Sequence, residues 1–182
     1  MRKSIFTLAP VVAALLAGSG VAQAASNAQM TITANVEAAT CDVTVSNPSL
    51  DLGNHAKSAF TDVAKPLASS VRTFTVGLSN CETPLTAGDK ASLIVTGDHL
   101  GGNPNIFNSS GTNTGIMLSQ TATPTNYITN GQKLAVATAG ASPTAGDFNT
   151  KILSLQAGLA STSLTPDIGM VRAPILFSFA YN

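Results

Sequence analysis

Short runs in which apolar and polar residues alternate recur along the chain from residue 30 to residue 181. Successive side chains of a β-strand point to opposite faces, so alternation with a period of two is the pattern of a half-buried strand. No window after residue 24 shows the 3.6-residue period of a good amphipathic helix. The sequence therefore predicts an all-β chain built from many short strands.

Turn-forming segments separate these runs. They are rich in Gly, Pro, Asn, Ser and Thr and lie at 98–105, 108–115, 121–126 and 140–147. The strand-like runs are 30–38, 41–45, 49–53, 71–81, 91–97, 114–119, 132–138, 148–160 and 174–181. Many short strands with this spacing are typical of a Greek-key sandwich.

The first 24 residues have the composition of an export signal. Arg2 and Lys3 precede an apolar stretch, and the small residues at 22–24 form a cleavage site. The stretch is short for a membrane anchor and is quickly followed by polar sequence, although a retained anchor is the alternative. Cleavage after Ala24 leaves 158 of the 182 residues, enough for one domain with a substantial core.

The charges of the exported part are few and scattered. Without Arg2 and Lys3, seven basic residues stand against nine acidic ones, a net charge of −2. The sequence has neither a basic patch for nucleic acid nor a basic amphipathic helix for a membrane surface. We therefore expect no nucleic-acid partner.

Cys41 and Cys81 are the two cysteines of the chain and lie 40 positions apart. In an exported protein, two cysteines most simply form one disulfide. Closing a loop of this length stabilises a fold by roughly 4 kcal/mol through the entropy of the unfolded chain. Metal binding and a reactive thiol are the alternatives, but neither has supporting residues nearby.

Residues for catalysis are sparse. His55 and His99 are the only histidines, and the sequence has no nucleophile-elbow pattern. Asp98 adjoins His99, but no second His or Cys has the spacing of a metal ligand. We therefore expect no enzyme activity, no cofactor and no metal; a secreted hydrolase is the enzymatic alternative.

Several motifs follow one another in a set order. An alternating extension precedes Cys41, the segment Leu50–Gly53 follows it, and a strand ends at Cys81. Gly169 is the fourteenth residue from the end, and an alternating apolar run closes the sequence. In this order and spacing, over the whole chain, the motifs resemble the pilin subunits of chaperone–usher fimbriae of Gram-negative bacteria.

This resemblance implies an incomplete immunoglobulin-like Greek-key sandwich that lacks one strand. A periplasmic chaperone lends a strand to the open groove, and at the outer-membrane usher the extension of a neighbouring pilin subunit replaces it, a known case of β-strand addition. The implied destination is a fimbrium at the cell surface, reached through the periplasm.

The resemblance also assigns parts of the chain. It implies a signal peptide at 1–24, a donor-strand extension at 25–40 and a pilin domain at 41–182. The donor face corresponds to Met30, Ile32, Ala34 and Val36, and the strand gripped by the chaperone corresponds to Ile175, Phe177, Phe179 and Tyr181. The carboxylate of Asn182 corresponds to the group that basic chaperone residues anchor.

Two of these assignments leave alternatives. The family often has glycine where this chain has Ala34, so the register of the donor strand is open. The run 30–38 could instead be the first strand of the chain's own sandwich.

A single domain with a donor extension indicates a shaft or adaptor subunit. The alternative is a single-domain adhesive pilin that binds a host glycan or protein receptor through loops such as 98–115, although Tyr127 and Tyr181 are the only tyrosines and Trp is absent.

Overall fold

The alternating runs of the sequence form strands in the computed structural model, which describes residues 40–181. The predicted export signal, the donor run and Asn182 lie outside the described residues. The ten strands of the described part are β1 (Asp42–Val45), β2 (Arg72–Ser79), β3 (Lys90–Gly97), β4 (His99–Leu100), β5 (Asn103–Phe107), β6 (Thr114–Gln120), β7 (Thr123–Tyr127), β8 (Gln132–Thr138), β9 (Ile152–Ser161) and β10 (Ile175–Tyr181). Three single-turn 3-10 helices lie at Lys57–Ala59, Ala68–Ser70 and Ala145–Asp147.

The strands form two antiparallel sheets. The larger sheet has the order β1-β2-β9-β6-β5-β4, and β7 also pairs with β6. The smaller sheet has the order β10-β3-β8. Five connections cross from one sheet to the other: β2 to β3, β3 to β4, β7 to β8, β8 to β9 and β9 to β10. The all-β fold class predicted from the alternation is confirmed.

The main core is built from alternate side chains of both sheets. In β2 and β3, every second residue turns inward, as the period of two requires. The buried residues of this core on the two strands are Phe74, Val76, Leu78, Ala91, Leu93 and Val95. Full burial of one such large side chain contributes roughly 1.5–3 kcal/mol, so this layer joins the two sheets.

A second, smaller core covers the other face of the larger sheet. Met117 of β6 packs there with Leu100, Ile106 and Ala160, while Leu118 on the opposite face of β6 belongs to the main core. The neighbouring Gly115 leaves room for this packing, because a Cβ atom there would lie 2.6 Å from Ile106 Cγ2. Strand β6 is therefore buried on both faces.

The structure differs from the sequence interpretation at four segments. Strands β4, β5 and β7 overlap segments that turn chemistry predicted as loops, and Pro104 and Pro124 fall within β5 and β7. Proline lacks the N–H that a strand ladder needs, so its presence argues against a strand from sequence alone. Conversely, residues 49–53 form no strand; Asp51 Oδ1 instead accepts a hydrogen bond of 2.8 Å from Gly53 N, and Gly53 turns the chain at φ +88°.

The predicted disulfide joins Cys41, just before β1, to Cys81, just after β2. Glu82 N also donates to Thr40 O at 2.9 Å, which extends the contact between these two segments. Cys81 N donates to Asn149 Oδ1 at 2.8 Å, so the bridge is also tied to the segment before β9. The covalent bond thus fixes β1 at the edge of the larger sheet.

We predict that the exported protein carries this bridge and needs it. Non-reducing mass spectrometry should give a mass two hydrogens below that of the dithiol form. Replacing both cysteines by Ser should destabilise the fold by about 4 kcal/mol, because the unfolded chain regains the entropy of a 40-residue loop. Two free thiols in the folded protein would contradict this.

Candidate functional site

Two strand edges lie side by side at one margin of the sandwich. Strand β1 is the edge of the larger sheet and β10 is the edge of the smaller one. They come close to each other, but within residues 40–181 β1 pairs only with β2, and β10 only with β3. We call the space between them the β1–β10 groove.

Apolar side chains line both walls of this groove. On β10, the four alternate residues that face the core are half-buried and pack against it: Ile175, Phe177, Phe179 and Tyr181. On the β1 side, Val43 and Val45 are half-buried in the same way, and Leu50 and Leu52 extend the row. The main core therefore continues into the groove and remains partly open there.

Aromatic contacts fix the β10 wall. The ring of Phe177 lies 6.0 Å from that of Phe74 in β2, and the ring of Tyr181 lies 6.3 Å from that of Phe148 in an edge-on arrangement. Both distances are within the range in which tilted aromatic pairs attract each other. Because Phe74 belongs to the larger sheet, the first pair connects the two sheets beneath the groove.

The hydroxyl of Tyr181 is hydrogen-bonded at the end of β10. It donates to Asp89 Oδ2 and accepts from Leu85 N at 3.1 Å. Hydrogen bonds from the Thr86 hydroxyl, and next from Tyr181, lower the pKa of Asp89 below its ordinary 3.8. The same bond to Asp89, aided by desolvation, raises the pKa of Tyr181 above 10.0.

The structure brings some of the predicted site residues together and does not describe others. The four β10 residues predicted to meet a chaperone share one face of one strand; that role stays a prediction. The predicted donor residues Met30, Ile32, Ala34 and Val36, and also Asn182, lie outside the described residues.

Sequence reasoning missed the opposite wall and the loop that holds Tyr181. Val43 and Val45 alternate as a strand should, and that alternation was the available signal. Nothing in the sequence marked Asp89, because its contact with Tyr181 joins residues 92 positions apart.

The histidines occupy structural positions. His55 Nε2 lies 2.8 Å from Leu52 O, and Ser69 Oγ lies 3.4 Å from His55 Nδ1, so the ring joins two surface segments. His99 is exposed on the two-residue strand β4. Among residues 40–181, no three His, Cys, Asp or Glu side chains gather as a metal site would require. The described part of the chain also has no helix long and apolar enough to cross a membrane.

The segment 98–115, the candidate receptor site of the adhesive alternative, is partly ordered into β4 and β5. Its tip at 109–113 is held by the segment before β10: Thr112 N and Asn113 N donate to Asp167 Oδ2 at 2.8 and 3.0 Å, and Ser109 N donates to Arg172 O at 2.8 Å. Residues 109–113 are small or polar, and Phe107, the aromatic residue of the segment 98–115, is buried. Binding of a host receptor there stays a prediction.

Known proteins resemble this chain in sequence and in fold. A sequence model of the fimbrial protein family matches residues 16–182. The fold is similar to that of the P pilus rod subunit PapA, at 20% sequence identity and a TM-score of 0.53, over 85% of this chain and 99% of that one. A chain from a chaperone–usher pilus structure aligns at 16% identity and a TM-score of 0.49, over 87% of this chain and 97% of that one. No curated protein matches the sequence significantly.

The family match covers most of the chain, so the chain belongs to the fimbrial protein family. It is a pilin, a structural subunit of a fimbrium, and the family is not a class of enzymes. The resemblance drawn from the cysteines and the alternating runs is thereby confirmed. Membership also implies that the chain assembles with neighbouring pilins and is exported to a pilus at the cell surface.

The Tyr181–Asp89 bond predicts a dependence of stability on pH. The pKa of Asp89 is lowered in the fold, so its contribution is present above pH 3.8 and is lost as the pH falls below that value. Melting temperatures of the purified protein should therefore exceed those of Tyr181→Phe near pH 7, and the gap should narrow below about pH 4.

Tyr127→Phe is the matched control, because Tyr127 is the other tyrosine of the sequence and lies on β7 of the larger sheet. Its effect on the melting temperature should not vary with pH between about 2 and 7. A gap for Tyr181→Phe that is equally large at both ends of this range would contradict the assignment.

Proposed function

We propose that this pilin is a shaft or adaptor subunit that polymerises by donor-strand exchange and so supports bacterial adhesion. The β1–β10 groove accepts an extended strand from another chain. The subunit's own extension, residues 25–40, fills the corresponding groove of a neighbouring copy or a related pilin. Residues 1–24 direct export, and residues 41–182 form the pilin domain.

The observation that carries this proposal is the open edge of β10. Along Ile175–Tyr181, the ladder to β3 satisfies the backbone groups on one side only within the described residues. Unpaired strand edges bind further strands, because a buried backbone N–H or C=O needs a partner. Strand addition supplies these hydrogen bonds and covers the half-buried apolar row at the same time.

The proposed donor matches the groove in length and pattern. Met30–Val36 and Ile175–Tyr181 each span seven residues and each place four apolar side chains on alternate positions. Two strands of equal length and equal period can pair over their whole extent at about 3.3 Å per residue. A shift of one residue would turn the apolar donor face to solvent, so the alternation also sets the register.

The same groove supports a role for assembly factors. An apolar groove open to solvent makes a free subunit prone to aggregation. A periplasmic chaperone would cover it during export, and its basic residues would bind the carboxylate of Asn182. At the outer-membrane usher, the donor strand of the next subunit would replace the chaperone strand.

We predict that Phe179→Ser with Tyr181→Ser abolishes capture by the chaperone. Both side chains pack against the main core, and a covering strand would complete their burial. Full burial of one phenylalanine contributes roughly 1.5–3 kcal/mol. The double variant should be degraded in the periplasm and should fail to co-purify with the chaperone.

Leu176→Ser is the matched control, since Leu176 lies on the same strand with 62% of its surface exposed. This variant should be captured normally. Normal periplasmic levels and normal co-purification of the Phe179/Tyr181 double variant would refute the proposed role of the β10 face.

A further prediction separates a donor strand from an ordinary first strand. A chain lacking residues 25–36 should still fold with its chaperone but should stop polymerisation, because it cannot fill the next groove. Failure of this truncated chain to fold, even with chaperone present, would show that the segment belongs to its own sandwich.

Ala34→Phe refines the test. In a donor strand, the small Ala34 enters a shallow pocket in which a benzyl group does not fit without displacing the strand. Synthetic peptides covering 25–37 are mixed with purified chaperone–subunit complexes, and the peptide–subunit product is followed on a gel. The Ala34→Phe peptide should exchange slowly, whereas Thr33→Phe, on the opposite face, should exchange far more readily. Equal rates for the Ala34→Phe and unaltered peptides would show that the register is wrong.

A further inference from the structure

The two walls of the β1–β10 groove belong to different sheets. No ladder joins β1 to β10 within residues 40–181, so their separation must be set by other contacts. An inserted strand tolerates little variation in that separation, because paired strands lie about 4.7–4.9 Å apart and their hydrogen bonds span about 2.7–3.2 Å.

One loop contacts both walls. Residues 80–89 carry the chain from β2 in the larger sheet to β3 in the smaller one. This crossing lies where β1 begins and β10 ends, since Asp42 pairs with Ser79 and Tyr181 pairs with Ala91. We call residues 80–89 the crossing loop.

On the β1 side, the crossing loop is held covalently and by hydrogen bonds. The disulfide joins its Cys81 to Cys41, directly before β1. Asn80 Nδ2 donates to Asp42 Oδ2 at 2.8 Å, so the first residue of β1 is also bound. The start of β1 cannot move away from the crossing loop while the disulfide is intact.

On the β10 side, the loop is held by Asp89 and Leu85. Both bind the hydroxyl of Tyr181, the Asp89 carboxylate as acceptor and the Leu85 N–H as donor. The carboxylate is itself fixed, because Thr86 N and Thr86 Oγ1 donate to its two oxygens at 2.7 and 2.6 Å. The backbone of Asp89 is bound as well, since Ala139 N donates to Asp89 O at 2.8 Å.

We propose that Asp89 is a positioning residue that, through Tyr181, holds the end of β10 at the distance from β1 that an inserted strand requires. The crossing loop acts as a brace between the two groove walls, with the disulfide at one end and the Asp89–Tyr181 hydrogen bond at the other. This inference rests on the proposed function of the groove. It assigns to Asp89 a role in strand exchange although Asp89 lies on neither wall.

Two conservative variants test the Asp89–Tyr181 bond; Tyr181→Phe also removes the acceptor of Leu85 N, and Asp89→Asn also alters an acceptor of the Thr86 bonds. Tyr181→Phe keeps the ring against Phe148 and loses only the hydroxyl. Asp89→Asn keeps the size of the side chain but leaves an amide group where one carboxylate oxygen accepted a hydrogen bond. Asp167→Asn is the matched control, because the Asp167 carboxylate also accepts two backbone N–H groups and a threonine hydroxyl, but these belong to Thr112 and Asn113, in another loop.

The experiment measures donor uptake by full-length subunit exported together with its fimbrial chaperone. Purified complexes receive the synthetic peptide 25–37, and the rate of product formation is measured. Tyr181→Phe and Asp89→Asn should each slow uptake about two- to tenfold, the range expected from one lost hydrogen bond. The double variant should slow uptake by less than the product of the two single effects, because both changes remove the Asp89–Tyr181 bond. Asp167→Asn should exchange at the wild-type rate.

The outcomes distinguish a failure of the brace from a failure of the proposed function of the groove. Uptake by wild type with unchanged rates in both single variants overturns the brace and leaves the proposed function intact. Equal slowing by Asp167→Asn, or additive slowing in the double variant, also overturns it, since a general loss of stability would then account for the effect. No uptake by the wild-type complex overturns the proposed function, and the inference falls with it. If Asp89→Asn does not accumulate, the comparison of Tyr181→Phe with Asp167→Asn decides.

Discussion

The hydrogen-bonding capacity left on one side of β10 is the constraint on which the rest of the structure depends. A central strand satisfies its backbone groups on both sides, whereas Ile175–Tyr181 is bonded only to β3 within the described residues. The strand nevertheless carries Phe177, Phe179 and Tyr181, side chains that belong in a core. A strand with core side chains and an edge backbone gains hydrogen bonds and burial when another strand joins it, which is the physical basis of the proposed polymerisation.

The fold must therefore remain ordered while part of its core is open. Three features keep the fold ordered around the groove. The disulfide fixes β1 at its edge, the ring pair of Phe74 and Phe177 joins the sheets beneath the groove, and the crossing loop binds the hydroxyl of Tyr181. The buried layer formed by β2, β3 and β9 joins the two sheets beside the open groove.

The sequence predicts the strands in which apolar and polar residues alternate and misses the strands built from residues typical of turns. Alternation located β2, β3, β8 and β10, because each turns alternate apolar side chains to the core. Strands β5 and β7 contain prolines and read as loops; pairing with β4 and β6, their neighbours in sequence, makes them strands. Of the candidate site, the β10 wall followed from the alternating aromatic run, whereas Asp89 could not be found, since its partner Tyr181 is brought to it only by the pairing of β10 with β3.

The remaining sheet edges support the proposed association at the β1–β10 groove, because each is less suited to pairing. Strand β4 has two residues, too few for an extended ladder. Strand β7 contains Pro124, which cannot donate a hydrogen bond, and four of its five residues are exposed. Strand β8 presents the exposed Lys133 beside exposed Ala135. Short length, proline and lysine are the means by which natural proteins prevent pairing at an edge. Strand β10 is long, free of proline and apolar towards the core. An incoming strand would therefore gain both backbone hydrogen bonds and burial of apolar side chains at β10, whereas β4, β7 and β8 offer less of each.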